Sequence, residues 1–241
     1  MLELRDRLIV ALDVPSAAHA RPVVQTLGEA VSTYKIGKQL FTAEGPGIVR
    51  DLVASGRKVF LDLKFHDIPN TVGAAVTSAA SLGVSMLTVH ASGGSKMLKA
   101  AVEAAAQSAS RPMILAVTVL TSLSDSDVQE IGVAGNVLAQ VLRLAALARS
   151  AGCGGLVASA HEARELRREL GEGFEIITPG VRPAGAEKGD QARVVTPAEA
   201  IQAGATRLVV GRPITESANP DEMARKILGQ IEEVSNSRVQ L

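Results

Sequence analysis

Charged side chains alternate at the end of one apolar run of this sequence. The stretch VFLDLKFHDIPNT, residues 59–71, starts with three apolar residues and then brings Asp62, Lys64 and Asp67 within six positions. Side chains alternate between the two faces of a strand, so Asp62 and Lys64 are expected on one face and the aliphatic residues on the other. Because unpaired buried charges are costly, these two groups must neutralise each other or a ligand.

Two further charged residues end apolar runs and extend this pattern. Lys35 lies in TYKIG, and Asp13 directly follows LIVAL. We predict an alternating network of Lys35, Asp62, Lys64 and Asp67, with Asp13 beside it. Such a network keeps an ammonium group available as a proton donor next to a fixed carboxylate. The alternative is a structural salt-bridge cluster at the rim of the fold, and the short DxKxxD pattern does not by itself decide between the two.

A second group of residues is suited to binding phosphate. The glycine- and proline-rich segment GVRPAGAEKGDQAR, residues 180–193, follows the seventh apolar run, and the loops after strands seven and eight of α/β barrels often bind phosphate. Arg182, Gln191 and Arg212 are suitable donors, and Gly211 lets a backbone N–H approach an anion. A loop of this length could also close over a ligand. An ordinary surface loop is the alternative.

The order of the segments predicts the fold that positions these residues. Eight short apolar runs alternate with Ala-rich segments of helical spacing, which indicates strands alternating with helices around a parallel sheet. Eight units in 241 residues predict a single (β/α)8 TIM barrel over residues 1–234, with a doubly wound sheet as the alternative. The polar tail, residues 235–241, is expected to fray. The predicted strands are LIVALD (8–13), TYKIG (33–37), KVFLDLK (58–64), MLTVHA (86–91), MILAVTVL (113–120), GLVAS (155–159), EIITPG (175–180) and RLVVGR (207–212).

The composition narrows the class of protein. Lys+Arg and Asp+Glu number 25 each, so no excess of positive charge favours nucleic acid as a partner. The lone cysteine, Cys153, allows no internal disulfide and is expected to be a buried spacer. The first residues do not form a signal peptide, and no apolar run reaches the roughly 18 residues of a membrane span. We therefore expect a soluble cytoplasmic protein that binds neither nucleic acid nor membrane.

The histidines are not predicted to act in catalysis. His66 lies beside Asp67 and is expected to be structural, and His90 is expected to make a hydrogen bond within the barrel. His19 and His161 lie in helical segments and are expected to be solvated. No His, Cys or Asp cluster has metal-ligand spacing such as HxxxH or CxxC, so no metal site is predicted.

Taken together, these residues closely resemble the orotidine 5′-phosphate decarboxylase family in its bacterial form. The similar blocks follow the family's order over nearly the whole chain, and the combination of DxKxxD with TPGxRP, GDQ and VGRP is highly specific. No departure is found at a position that matters to the family's chemistry. The blocks are LIVALDV (8–14), YKIGKQLF (34–41), FLDLKFHDIPNTV (60–72), TVHASGG (88–94), VTVLTS (117–122), ITPGVRP (177–183), GDQARVVTPAEAI (189–201) and LVVGRPIT (208–215).

The resemblance implies an activity and its catalytic residues. Members of this family remove the C6 carboxylate of orotidine 5′-monophosphate as CO2 and form UMP, the last step of de novo pyrimidine synthesis, without a metal or an organic cofactor. Lys64 corresponds to the lysine that delivers a proton to C6, and Asp62 to the carboxylate that faces the substrate carboxylate. Lys35 and Asp13 correspond to the residues that hold the ribose hydroxyls and complete the charge array.

The resemblance also implies a homodimer and a set of binding residues. Asp67 corresponds to an aspartate that one subunit donates to the active site of the other, together with Ile68 and Thr71. Thr121, in VLTS (119–122), corresponds to the hydroxyl residue that contacts the pyrimidine. The residues that correspond to the phosphate site and its lid are Pro179, Arg182, Gln191, Gly211 and Arg212.

Two other functions are weighed against this one. The 3-keto-gulonate-phosphate decarboxylases and hexulose-phosphate synthases share a DxKxxD-type third strand and stabilise an enediolate with Mg2+. The segments LTS, TPGVRP and GDQ favour the nucleotide enzyme over these sugar-phosphate enzymes, and metal dependence distinguishes the two classes. A catalytically inactive nucleotide-binding barrel would need a lost proton donor or a broken phosphate loop, but Lys64 and Arg212 are both present.

Overall fold

Eight parallel strands close into a barrel in their order along the chain. The computed structural model describes residues 2–183 and 195–239, and side chains as far as residue 236. Each predicted strand is present, most of them ending a few residues earlier than the apolar run, so the (β/α)8 barrel is confirmed and the doubly wound sheet is excluded. The strands are β1 Leu8–Ala11, β2 Thr33–Gly37, β3 Lys58–Phe65, β4 Met86–His90, β5 Met113–Val117, β6 Gly155–Val157, β7 Glu175–Thr178 and β8 Arg207–Val210.

Helices follow the strands and cover the outside of the barrel. Several begin with a side-chain cap: Ser124 and Thr196 form capping boxes, and Asn136 and Ser159 accept a backbone N–H, which satisfies donors that a helix start leaves free. None of the described helices combines the length and apolar composition needed to cross a membrane. The helices are α1 Ala17–Leu27, α2 Lys38–Glu44, α3 Gly47–Ala54, α4 Pro69–Ala80, α5 Gly94–Gln107, α6 Asp125–Glu130, α7 Val137–Ser150, α8 Ala160–Leu170, α9 Pro197–Ala203, α10 Arg212–Thr215 and α11 Pro220–Val239.

The last helix continues into the segment that was expected to fray. Helix α11 extends to Val239, beyond residue 234. Ser235 donates a hydrogen bond to the carbonyl of Ile231 at 2.6 Å and accepts one from Arg7. These contacts join Ser235 to the amino-terminal end of the barrel. The polar composition of residues 235–241 did not indicate them.

The apolar core has two layers separated by the strands. The inner layer is small, and the outer layer fills the space between strands and helices with Val, Leu, Ile and Ala. Burial of such aliphatic side chains is the main favourable term in folding, which explains how a chain with 2% aromatic residues builds a barrel. The buried residues of the inner layer are Ile9, Ala11, Phe60, Met86, Leu115, Ile177 and Val209.

An irregularity in β3 shapes the carboxyl-terminal mouth of the barrel. Strands β3 and β4 pair at Leu61–Leu87 and resume at Phe65–Val89, so residues 62–64 lie opposite Thr88 alone. Lys64 has a φ of 54°, in the left-handed region that residues with a side chain seldom adopt. The register shift interrupts the regular alternation of β3, although the Asp62 and Lys64 side chains still meet as predicted. Such bulges re-aim side chains and occur often beside active sites.

A cluster of charged groups surrounds the buried Asp6 at the opposite, amino-terminal end. The Asp6 carboxylate accepts hydrogen bonds from Lys58 at 2.7 Å and from the Ser32 hydroxyl, and its backbone carbonyl accepts one from Arg207 at 3.0 Å. Burial opposes ionisation of Asp6, but the hydrogen bonds from Lys58 and Ser32 and the positive charges of Lys58 and Arg207 outweigh it, so the pKa of this carboxyl is lowered.

Replacing Asp6 is expected to destabilise the barrel in a pH-dependent way. A carboxyl with a lowered folded-state pKa contributes stability above its unfolded pKa and loses it as the pH falls through the folded value. We predict that Asp6→Asn lowers the free energy of unfolding at pH 7 by about 1–2 kcal/mol, and that the difference from the parent shrinks only below the ordinary aspartate pKa of 3.8. Urea unfolding at several pH values measures this difference.

Asp51→Asn provides the matched control for this experiment. Asp51 pairs with Arg21 at 2.8 Å on the surface, where both side chains are more than half exposed, and such pairs contribute little. A loss for Asp6→Asn no larger than that for Asp51→Asn would contradict the structural role of the amino-terminal cluster.

Candidate active site

Four charged side chains form a continuous ion-pair chain at the carboxyl ends of β1, β2 and β3. The Lys64 ammonium lies 2.8 Å from both carboxylate oxygens of Asp62. Lys35 Nζ lies 3.7 Å from Asp62 Oδ2 and 2.8 Å from Asp13 Oδ1. The structure thus brings together Asp13, Lys35, Asp62 and Lys64 as the strand-end pattern predicted.

Asp62 is a largely buried carboxylate with several positively charged and hydrogen-bonding partners. Its side chain is 12% exposed, and this burial by itself would raise the pKa of the carboxyl. The ammonium groups of Lys35 and Lys64, together with hydrogen bonds from Lys64 and the Thr88 hydroxyl, more than compensate and lower the pKa below its ordinary value. Asp62 therefore stays ionised at neutral pH although it is buried.

A glycine permits the close approach of Lys35 and Asp13. A Cβ atom added to Gly37 would lie 2.8 Å from Asp13 Oδ1 and 3.0 Å from Lys35 Nζ, closer than such atoms approach in proteins. A side chain at position 37 would therefore displace one of the two charged groups, so the glycine in TYKIG leaves room for this ion pair.

The chain of charges lines one side of a cavity of about 340 Å³. Its floor consists of inner-layer and neighbouring apolar side chains, including Phe60, Val117 and Val209, and its far wall contains Thr121 and Pro179. A cavity with an apolar floor and few convergent polar groups is typical of a small-molecule site. The complete lining is Asp13, Lys35, Gly37, Lys38, Phe60, Asp62, Lys64, Val117, Val119, Leu120, Thr121, Val157, Pro179 and Val209.

A second cavity, of about 290 Å³, adjoins the first and contains two arginines. It shares Asp13 and Lys35 with the first cavity and adds the guanidinium groups of Arg182 and Arg212. Burial and the nearby charge of Arg212 lower the pKa of Arg182 from its very high ordinary value, while Glu216 acts in the opposite sense. Two positive side chains held this close favour a dianion such as a phosphate. Gly211, Thr215 and Glu216 complete this end of the cavity.

Several predicted site residues do not line either cavity. Asp67, Ile68 and Thr71 are exposed, Ile68 to 66% of its surface. The Asp67 carboxylate accepts a hydrogen bond from the Ile68 backbone at 2.6 Å. Gln191 and the rest of segment 184–194, which includes most of the predicted lid, lie outside the described residues.

The structure also adds residues that the sequence patterns did not single out. Thr88 hydrogen-bonds both Asp62 and the Lys64 backbone, and Lys38, Thr215 and Glu216 line the two cavities. Thr215 and Glu216 follow VGRP within one helical turn, a spacing that would have suggested them. Thr88 had no comparable signal, because its contact depends on the bulge in β3.

The histidines and the cysteine lie outside the ion-pair chain. The rings of His66 and His90 are 5.4 Å apart between centroids. Burial, followed by the nearby charges of His66, Lys64 and Lys38, lowers the pKa of His90, which the Asp62 charge only partly opposes. Cys153 is buried, and burial raises the pKa of its thiol to about 12, as expected for a packing residue. Within residues 2–183 and 195–239, no three His, Cys, Asp or Glu side chains are grouped to hold a metal ion.

A larger cavity, of about 540 Å³, lies between the starts of α6, α7 and α8. Its polar groups are engaged in ending or starting helices: Ser124 and Asn136 cap α6 and α7, and the Asp125 carboxylate accepts the Val137 N–H at 2.8 Å. Among the described residues, its lining contains no lysine or arginine that could bind an anion, and the site is therefore assigned to the two smaller cavities.

The structure is a closed barrel, and two adjoining cavities, one with the ion-pair chain and one with two arginines, lie at its carboxyl-terminal mouth. This arrangement is typical of an enzyme of the TIM-barrel class that acts on a phosphorylated substrate. Residues 6–227 match the model of the orotidine 5′-phosphate decarboxylase / HUMPS family. The chain belongs to this family.

Individual relatives support the assignment over almost the full length. Orotidine 5′-phosphate decarboxylase of Alkalilimnicola ehrlichii is 55% identical over 214 residues, covering 89% of this chain and 91% of the relative. The enzyme of the same name from Moorella thermoacetica is 50% identical over 239 residues, covering 97% and 95%. The crystal structure of orotidine 5′-phosphate decarboxylase from Lactobacillus acidophilus superposes with a TM-score of 0.83 at 36% identity, covering 94% of this chain and 99% of that one.

Removing Lys35 is expected to raise the pKa of Asp62. In Lys35→Met the buried stem is kept but one of the two compensating ammonium groups is lost, while the burial of Asp62 persists. Carbon-13 NMR titration of the aspartate carboxyl carbons, with Asp62→Asn to assign the signal, measures the shift. Lys38→Met is the control, since Lys38 lines the same cavity but is exposed to solvent. An unchanged Asp62 pKa in Lys35→Met would contradict the electrostatic account.

Proposed function

We propose that this protein converts orotidine 5′-monophosphate into UMP and CO2. The single observation that carries the proposal is the Lys64 ammonium, held at 2.8 Å from both oxygens of a buried Asp62 at the edge of a cavity that continues into an arginine-bearing one. The family membership and the relatives' names support the same reaction. Since the reaction belongs to nucleotide synthesis, we expect the protein to act in the cytoplasm.

The two cavities suit the parts of this substrate. The phosphate dianion binds beside Arg182 and Arg212, with the backbone of Gly211 close by. The ribose lies where the cavities meet, so that its hydroxyls contact Asp13 and Lys35, which line both. The pyrimidine then lies over the apolar floor with Thr121 at its edge, and its C6 carboxylate points to the ion-pair chain.

The chemical step requires stabilisation of a carbanion. The bond between C6 and the carboxylate carbon breaks, CO2 leaves, and the electron pair stays on C6 in the ring plane, where it has no conjugated sink. The Lys64 ammonium stabilises this charge by proximity and then transfers a proton to C6, after which the amine regains a proton from solvent. Positioned charge of this kind acts strongly because it needs no reorganisation during the reaction.

Asp62 contributes by holding Lys64 and by facing the leaving carboxylate. Two ammonium groups keep Asp62 ionised, so the substrate carboxylate meets a like charge in a site of low dielectric. That repulsion is relieved when CO2 departs. Contacts to the distant phosphate supply the binding energy that holds the substrate in this unfavourable position.

A second subunit completes the site in this proposal. Asp67, Ile68 and Thr71 are exposed and line neither cavity of their own chain, as expected of residues that extend into a neighbour. In such a homodimer, Asp67 lies beside the partner's Lys64. The alternating positive and negative charges of Lys35, Asp62 and Lys64 then gain a fourth member.

A direct test distinguishes the proposed reaction from those of the sugar-phosphate enzymes of the same family. We expect the wild-type protein to convert orotidine 5′-monophosphate to UMP in excess EDTA, followed as loss of the substrate's ultraviolet absorbance, and added Mg2+ to leave the rate unchanged. An absence of conversion in EDTA together with turnover of a sugar phosphate after Mg2+ is restored would overturn the proposal in favour of that class. Binding of UMP without any turnover would indicate an inactive nucleotide-binding barrel.

Mixed dimers test the donation of Asp67 between subunits. Lys64→Ala and Asp67→Asn homodimers are each expected to be nearly inactive. If Asp67 acts on the partner's site, a mixed dimer has one site with both residues intact, so random exchange of the two variants should restore about one quarter of the wild-type sites. Activity after co-refolding of differently tagged subunits measures this recovery.

The control for the mixed dimers is co-refolding of each variant with itself. No recovery in mixed dimers that have been isolated by both tags would contradict donation between subunits and place Asp67 in its own subunit's site.

A further inference from the structure

Thr88 lies at the centre of the irregularity that positions the charged residues. It is fully buried on β4, two residues after the inner-layer Met86. Its hydroxyl donates to Asp62 Oδ1 at 2.9 Å and accepts the Lys64 backbone N–H, also at 2.9 Å. One side chain thus contacts both members of the Asp62–Lys64 pair.

These two contacts replace hydrogen bonds that a regular sheet would supply. Where residues 62–64 bulge away from β4, the Lys64 N–H has no strand carbonyl opposite it and bonds to the Thr88 hydroxyl instead. A buried N–H without a partner would be costly. The hydroxyl therefore holds Lys64 in its left-handed conformation, with a φ of 54°.

The same hydroxyl fixes the orientation of the Asp62 carboxylate. Oδ1 receives hydrogen bonds from Thr88 and Lys64, whereas Oδ2 is shared between Lys64 and Lys35. A carboxylate with both oxygens engaged in this way has one orientation, and that orientation sets where the Lys64 ammonium lies.

We propose that Thr88 is a positioning residue for the decarboxylation, because its hydroxyl locks Asp62 and the Lys64 backbone into the geometry that aims the ammonium at the substrate. The inference rests on the proposed function of this site. Thr88 lines neither cavity, so it acts through Asp62 and Lys64 and does not touch substrate. The hydroxyl uses its one proton and one lone pair on these two partners, a role that a valine of the same shape cannot fill.

Substitutions that separate shape from hydrogen bonding test this proposal. Thr88→Val keeps the volume and removes the hydroxyl; we expect kcat to fall about 10- to 100-fold, since a hydrogen bond to a charged group is lost. Binding of UMP should change by less than about threefold, because the phosphate and ribose contacts remain. Thr88→Ser keeps the hydroxyl and should retain kcat within about threefold.

Thr33→Val is the matched control. Thr33 is also fully buried on a barrel strand, but it begins β2 at the opposite end, where its hydroxyl lies 3.2 Å from that of Ser32. We expect this variant to change stability without changing kcat. If Thr88→Val does not fold, Thr88→Ser and Thr88→Cys decide the question, since they differ in size only slightly and the thiol is a weak hydrogen-bonding group.

A readout independent of turnover separates this proposal from the proposed function. Loss of the hydroxyl removes one interaction that favours ionised Asp62, so carbon-13 NMR should show a higher Asp62 pKa in Thr88→Val, or in Thr88→Cys, than in wild type. That shift without any wild-type turnover of orotidine 5′-monophosphate would overturn the function and keep the positioning of Asp62. Unchanged kcat in folded Thr88→Val, or equal losses in the serine and valine variants, would overturn the role of Thr88.

Discussion

The buried carboxylate of Asp62, held between the ammonium groups of Lys35 and Lys64, is the interaction on which the site depends. Its burial opposes ionisation, and the two lysines reverse that effect. Removing one lysine would leave the Asp62 carboxylate with only part of this compensation, which would raise its pKa. The ion pairs with Lys35 and Lys64 therefore allow the negative charge of Asp62 to lie next to the transferable proton of Lys64 in a largely apolar cavity.

The barrel makes this arrangement possible in three ways. Parallel strands β1, β2 and β3 end at the same face, so Asp13, Lys35 and Asp62 come together although they are distant in sequence. The aliphatic inner layer below them keeps the dielectric low and the cavity closed from beneath. The bulge in β3 lies at Asp62 and Lys64, where it leaves the Lys64 backbone N–H to hydrogen-bond with Thr88.

The sequence predicted most of the fold and many of the residues that line the two cavities. Eight apolar runs separated by helical segments specify a barrel, and the ends of those runs identified Asp13, Lys35, Asp62, Lys64, Arg182, Gly211 and Arg212. The family resemblance added Thr121 and Pro179, and all nine residues line the two cavities. What it missed depends on contacts that strand periodicity does not encode. Thr88 matters because of a register shift, and Ser235 continues a helix because Arg7 and Ile231 bond to it. The proposed role of Asp67 requires a second chain, which a pattern within one sequence cannot reveal.

The role of the Lys64 ammonium is tested most directly by measuring how fast the Lys64→Ala variant turns over orotidine 5′-monophosphate and how tightly the same variant binds UMP. Loss of the positioned ammonium is predicted to lower kcat by about 1,000-fold or more, while UMP still binds and circular dichroism shows a folded barrel, because the arginine-bearing cavity is untouched. A folded Lys64→Ala protein that turns over substrate at the wild-type rate would show that the ion-pair chain stabilises the barrel mouth and that the proton comes from elsewhere.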